Sequence, residues 1–208
     1  LTPSPEYVAR KQEIVRLAAD VFHHKGYDAG TLDDVAEALD MRRASLYYYI
    51  KSKSHLLYAI FEQALDLSLN RMDEIAAIED PRAQVTELIC HQVRTITADR
   101  TLFTVFFESR PRLEPEFEES IRRREKKYAA IFMKVAKRAI EAGVLQASSP
   151  EYVAQVLLGA TIWPYKWFRS ERHDADAYSA TLLQLLLTPA KGGRKSEPAA
   201  NGKPRRRA

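Results

Sequence analysis

Cysteine is almost missing. Cys90 stands alone among 208 residues, so an intrachain disulfide is excluded and the fold must rest on its apolar core. No apolar run is long enough to span a membrane and no signal peptide is visible, so the chain is expected to be cytoplasmic and to need no membrane partner. There is no strand-like alternation, no internal repeat and no Asn-Gly or Asp-Gly hairpin signal, which points to an all-α chain. A glycine-rich phosphate loop is also lacking. His23, His24, His55, His91 and His173 form neither HExxH nor another close ligand pattern, and adjacent His23 and His24 point to different helix faces. No metal site and no catalytic group are therefore expected. A lone helical cysteine such as Cys90 is expected in the core, with redox sensing as its alternative.

What is present begins with Thr31 to Lys53, TLDDVAEALDMRRASLYYYIKSK. Thr31 can cap a helix whose first turn holds Asp33 and Asp34, where carboxylates suit the helix dipole. Val35, Ala36 and Leu39 form its apolar edge, and Asp40-Met41-Arg42 is a turn. A second helix is expected from about Arg43 to Tyr49, anchored by Leu46. This spacing is that of a helix-turn-helix, whose second helix enters the DNA major groove. From Met41 to Leu57 there are Arg42, Arg43, Lys51 and Lys53 and no acid. Tyr47, Tyr48 and Tyr49 must spread around a short helix, so at least one faces outward, where it can reach sugar, phosphate or a thymine methyl.

Ile14, Ala18-Ala19, Phe22, Gly26-Tyr27, Thr31, Val35-Ala36, Ser45-Leu46-Tyr47 and Ser52-Lys53 together resemble the N-terminal domain of the TetR family of transcriptional regulators. Asp40 replaces a frequent glycine in the turn, and Ile50 a frequent aromatic. The resemblance implies groove-facing Arg43, Ser45, Tyr47 and Tyr48 and phosphate-facing Thr31, Tyr49 and Lys53; Arg42 joins the DNA-binding set by its charge.

Helical spacing and caps order the rest. An amphipathic helix over Glu6 to Lys25 ends at Gly26. Ser52 caps a helix expected to run from Lys53 to about Ile78. Asp80-Pro81 starts another. Pro111 and Pro115 bracket a break before a long helix from about Glu116 to Ala142, and Ser149-Pro150-Glu151 opens the next. A last helix runs from near Asp174 to before Pro189. The expected domains are a DNA-binding domain at 1–59, a ligand-binding and dimerisation domain at 60–189, and a disordered basic tail at 190–208. From Lys191 on, seven cations against Glu197 give +6, so the remainder carries −2 of the overall +4. The tail is expected to add at most salt-sensitive, nonspecific DNA attraction.

A ligand site is expected in the second domain. AQVLLGATIWPYKWFR, Ala154 to Arg169, is apolar nearly all round, which implies contacts on two sides. Trp163 and Trp167 lie one turn apart, and Pro164 should kink the helix between them. A pocket walled by Phe103, Phe107, Tyr128, Trp163 and Trp167 is expected, with Arg110, Arg124 and Lys166 giving positive charge at its mouth and Arg169 beside them. Arg124 falls on an inward stripe and needs a partner, a ligand anion or an acid such as Glu108. Gln92 interrupts the stripe Val85, Leu88, Ile89, Ile96 and could reach a ligand or simply bond to backbone. The Trp-x-x-x-Trp-Phe-Arg string, with ESRPRLEPEFEESIRRREKKY, looks like the C-terminal domain of TetR-type regulators that sense acyl-CoA thioesters, although Ser170-Glu171-Arg172 departs from the usual continuation. The expected protein needs no cofactor beyond a small-molecule effector, either a small apolar compound or an acyl-CoA. It is a repressor that binds a near-palindromic double-stranded operator as a homodimer joined through its last two long helices. The rival readings are a small helical enzyme and a ligand-independent DNA-binding module.

Overall fold

The computed structural model describes residues 4–189, so the basic tail lies outside the described residues. Helices account for nearly every element, and the β pairing among the described residues is an isolated antiparallel bridge between Leu145 and Leu187. Helix α1 spans Pro5–Lys25. Ser4 caps it by accepting from the Tyr7 N–H, and it stops at Gly26, whose φ of 80° a side chain would oppose. Helices α2 (Leu32–Ala38) and α3 (Arg43–Leu46) follow, then α4 (Lys53–Leu69), capped by Ser52.

Helix α4 does not reach Ile78 as expected. It ends at Leu69, Arg71 takes a left-handed φ of 61°, and a separate helix α5 spans Met72–Ala77. The break is masked in the sequence because Ala64, Ser68, Met72 and Ile75 keep an unbroken helical spacing, and all four are buried. The short α5 is held at both ends. Arg71 Nε donates to Glu74, and the Gln84 side chain donates to the carbonyls of Ile75, Ala76 and Ile78, which the end of α5 leaves open.

Gln84 belongs to α6 (Pro81–Ala98), the helix at the centre of the second half. Asp80 caps it on the Arg82 and Ala83 amides. Next come α7 (Arg100–Glu108), a 3₁₀ turn over Arg110–Arg112, the long α8 (Pro115–Glu141), α9 (Pro150–Ile162), α10 (Pro164–Trp167) and α11 (Ala175–Leu186). Pro164 acts as foreseen: α9 stops at Ile162 and the chain restarts as α10.

Two cores result. The first joins α1 to α4 with Ile96, Leu102, Phe103, Phe106, Leu113 and Ile121. Helix α7 is therefore packed into the bundle of α1 to α4, and the core runs through Ala59 and Ile60 without interruption. The second core gathers Met72, Ile75, Leu88, Val93, Phe132, Val135 and Leu157 around α6 and α8. These two helices run antiparallel: Arg138 Nη1 donates to Gln84 Oε1 at 3.0 Å at one end, while Ile96 and Ile121 share the first core at the other.

Candidate nucleic-acid interface and effector site

Thr31 and Asp34 build a reciprocal cap on α2. The Thr31 hydroxyl accepts from the Asp34 N–H at 3.1 Å, and the Asp34 carboxylate accepts from the Thr31 N–H at 2.8 Å. Lys25 Nζ bonds the same carboxylate at 2.8 Å. The Lys25 bond, with the two bonds to Thr31, pulls the Asp34 pKa down to about 2. The folded pKa lies below the ordinary value of 3.8, so this cap stabilises the head above about pH 4 and is lost as pH falls towards 2. Amide exchange at Asp34 and Val35 should accelerate in that window, and Asp34→Asn should remove the effect.

Asp40 closes the turn at φ 47°, taking the left-handed conformation that its short polar side chain tolerates. Helix α3 is shorter than the expected Arg43 to Tyr49, but the chain stays coiled. The Tyr47 N–H bonds the Arg43 carbonyl, while those of Tyr48 and Tyr49 reach only three residues back, to Ser45 and Leu46. This tightening fans the tyrosines apart. Leu46 and Ile50 are fully buried and fix the unit to the first core. Tyr49 turns inward and stacks on Tyr7 of α1, centroids 5.0 Å apart. Tyr47 and Tyr48 face solvent, Tyr48 at 73% exposure.

Arg42, Arg43 and Ser45 are exposed on the same tip. Arg43 Nη1 lies 2.6 Å from Asp33, its Nη2 donates to the Tyr47 hydroxyl at 3.1 Å, and its guanidinium sits 5.6 Å from the Tyr47 ring centre. Both charges of the Arg43–Asp33 pair are more than half exposed, so releasing it towards DNA costs about 1 kcal/mol or less. The Thr31 hydroxyl uses one lone pair on the cap, which leaves its proton able to donate. Lys53 departs from the expected outward pose. Its ammonium donates to the Asp28 carbonyl at 3.1 Å and rests 4.5 Å from the Tyr27 ring centre, so the head itself holds it.

In the second half the expected aromatic wall does not come together. Phe103 is buried in the first core and Tyr128 in the second. Trp163 is 57% exposed on the outer face of α9 and α10. Trp167 packs edge-on to His173 and Tyr178. What does form is a file of rings in which Phe61 meets Phe106, Phe106 meets Phe107, Phe107 meets Tyr165 and Tyr165 meets Trp163. Tyr165 was missing from the sequence-derived wall, and its place between the two tryptophans was its signal.

The expected cationic mouth is also spoken for. Arg110 pairs with Glu125 at 3.2 Å, Arg124 with Asp66 and the Glu62 carbonyl, and Lys166 with Glu108 at 2.5 Å. Glu108 thus serves Lys166 and leaves Arg124 to Asp66. Arg169 donates to its neighbour's carbonyl, that of Phe168. A groove of about 940 Å³ between α1 and α4, bordered by Tyr7, Val8, Lys11 and Leu67, contains none of the expected effector residues. A smaller cavity of about 210 Å³ lies between α1 and α7, where Arg112 clasps Asp28 with two nitrogens. Cys90 is half-buried, and burial pushes its thiol pKa up, away from the thiolate that redox chemistry needs.

A model of the tetracyclin repressor-like C-terminal domain matches residues 79–189, more than half of the chain, and one of the tetR family of bacterial regulatory proteins matches residues 14–60. The chain belongs to the TetR family. The negative transcriptional regulator IcaR of the biofilm operon icaADBC in Staphylococcus aureus is 37% identical over 65 residues, 31% of this chain and 33% of that protein. The chain thus matches about a third of that relative's length. A TetR/AcrR-family regulator structure from Thermobifida fusca is 33% identical, covering 85% of this chain and 96% of that one at a TM-score of 0.65. The structure of AibR in complex with isovaleryl coenzyme A and operator DNA superposes at a TM-score of 0.77 with 24% identity, over 86% and 99% of the two chains. Helices α2 and α3, with their exposed tip, fall inside the residues 14–60 that the model of the tetR family of bacterial regulatory proteins matches.

Proposed function

We propose that this TetR-family chain is a homodimeric repressor that binds a near-palindromic operator and is released by an acyl-CoA. The observation that carries the DNA-binding half is the tip itself. Leu46 and Ile50 are completely buried beneath it, so Arg43, Ser45, Tyr47 and Tyr48 are presented on a rigid base.

The dimer rests on a second observation. Helix α9 buries Ala154, Leu157 and Thr161 but leaves Tyr152, Val156 and Trp163 exposed, and on α11 Leu185 is 76% exposed. Large apolar groups on the two last long helices, uncovered by their own chain, suit an isologous four-helix contact. The reading helices of such a dimer would lie about 34–36 Å apart, one turn of DNA. The acyl-CoA is supported by the family resemblance of the Trp163–Trp167 string and by the fold shared with AibR. Because Arg110, Arg124 and Lys166 are paired to acids, effector phosphates would have to displace Glu125, Asp66 or Glu108, and affinity should fall as salt rises.

Selection of bound sequences from a random DNA pool, followed by release titrations with acyl-CoAs of increasing chain length, tests the whole reading. A two-fold symmetric site and release at micromolar acyl-CoA are expected. Binding without sequence preference would overturn the repressor, and release only by neutral compounds with no salt dependence would overturn the acyl-CoA.

A further inference from the structure

Asp28, in the loop between α1 and α2, serves two cations at once. Its backbone carbonyl accepts from Lys53 Nζ at 3.1 Å. Its carboxylate accepts from Arg112, whose Nε lies 2.9 Å from Oδ1 and whose Nη2 lies 2.7 Å from Oδ2, so both carboxylate oxygens are taken. Lys53 opens α4 within the DNA head, whereas Arg112 ends the 3₁₀ turn before α8 in the second half.

The two acceptors on Asp28 are unequal. An ammonium bonds an ionised oxygen more strongly than a neutral one, yet Lys53 sits on the carbonyl, 4.5 Å from the Tyr27 ring centre. The carboxylate belongs to the same residue, and a turn of the Asp28 side chain would bring it to the ammonium. The hydrogen bonds from Arg112, with its charge and that of Lys53, hold the Asp28 carboxyl below the ordinary carboxylate range, so it is ionised and within the field of both cations. Packing does not separate them. The Asp28 side chain is 70% exposed and that of Arg112 50%, and the cavity of about 210 Å³ borders both. Arg112 keeps the carboxylate from Lys53 by occupying it, with a planar fork that matches both oxygens.

We propose that Arg112 is a positioning residue for Lys53: by engaging the Asp28 carboxylate it leaves the lysine on the carbonyl and the ring, the arrangement that ties the α1–α2 loop to α4 for DNA binding. Without Arg112 the carboxylate swings to Lys53 and draws the ammonium off the Tyr27 ring. The loop that leads into Thr31 then loses its tie to α4. The head thus depends on a cation that lies outside residues 14–60, the stretch matched by the tetR-family model. This dependence is separate from the effector reading above and stands or falls without it.

The test uses the full chain as wild type, Arg112→Ala, Asp28→Asn, Arg112→Ala with Asp28→Asn, and Arg112→Ala with Glu116→Gln. Glu116 is exposed, so its change restores the net charge without touching Asp28. One readout is affinity for a random-sequence duplex at low salt. The other is the amide nitrogen shift of Ala29 without DNA, which follows whether the Asp28 carbonyl accepts a bond. Arg112→Ala should bind about three- to tenfold more weakly, the scale of one exposed pair in each head of a dimer, and should move the Ala29 signal. Asp28→Asn should bind no more weakly than wild type, because its carbonyl remains. Adding Asp28→Asn to Arg112→Ala should restore both readouts, and adding Glu116→Gln should restore neither. In a Lys53→Ala background, Arg112→Ala should change nothing further. If Asp28→Asn is as weak as Arg112→Ala, or the double variant stays weak, the clasp merely ties the loop and the proposal is overturned. Rescue by Glu116→Gln would assign the effect to net charge and overturn it too, as would an Arg112→Ala protein unchanged in either readout.

Discussion

Replacing Arg43 by alanine is expected to weaken operator binding by about 1–3 kcal/mol per reading helix and to relax preference at one base pair in each half-site. The expectation follows from its position. Arg43 opens α3, more than half exposed, and is held only by an exposed pair with Asp33 and a bond to the Tyr47 hydroxyl. Lys53→Ala should behave differently, because its ammonium is already engaged by Asp28 and Tyr27 within the head. It should weaken all sequences alike through a loosened head, with a small change in salt slope. Removing the competing acid, Asp33→Asn, should strengthen binding to any DNA at low salt. Titrations of the three variants against operator and scrambled DNA at several salt concentrations check this. Loss of equal size on both DNAs for Arg43→Ala would remove it from base reading.

The second large effect concerns Val156→Glu. Val156 is 53% exposed on the same face as Tyr152 and Trp163. A carboxylate there has no core to disturb, so the monomer should stay folded. In an isologous contact the charge enters twice, against its own copy, with no partner to neutralise it. Sedimentation should show a monomer at micromolar concentration, and operator affinity should fall by at least about a hundredfold, because the second half-site loses its high effective concentration. A dimer of unchanged strength would place the contact elsewhere. Leu185→Glu on α11 is the independent copy of this experiment.

The sequence by itself determined the elements whose signals are local. The Ser4, Thr31, Ser52, Asp80, Ser149 and Asp174 caps start helices within a residue or two of where the spacing put them. The Asp40 turn and the buried Leu46 were legible for the same reason: a cap or a turn is decided by a few neighbouring residues. Sequence periodicity also identified the Ala154 to Arg169 stretch as needing contacts on two sides. It could not say what the second side was. The tertiary structure placed α6 and α8 on one face and left Tyr152, Val156 and Trp163 uncovered, so a stripe expected to wall a pocket became an outer surface.

The break after Leu69 was likewise hidden, since Met72 and Ile75 carry the helical spacing of Ala64 and Ser68 across it, while the carbonyls at the end of the short α5 are closed by Gln84 of another helix. Arg124 and Lys166 looked available because acids distant in sequence, Asp66 and Glu108, are invisible to any local pattern. Gln92 and Tyr128 are the sharpest case. Each is one polar residue on an apolar stripe, a feature that sequence alone reads equally well as a backbone-bonded core residue. Only the packing of α6 against α8 decided that neither finds a partner, because a hydrogen bond depends on where two helices meet and not on the residues of either one.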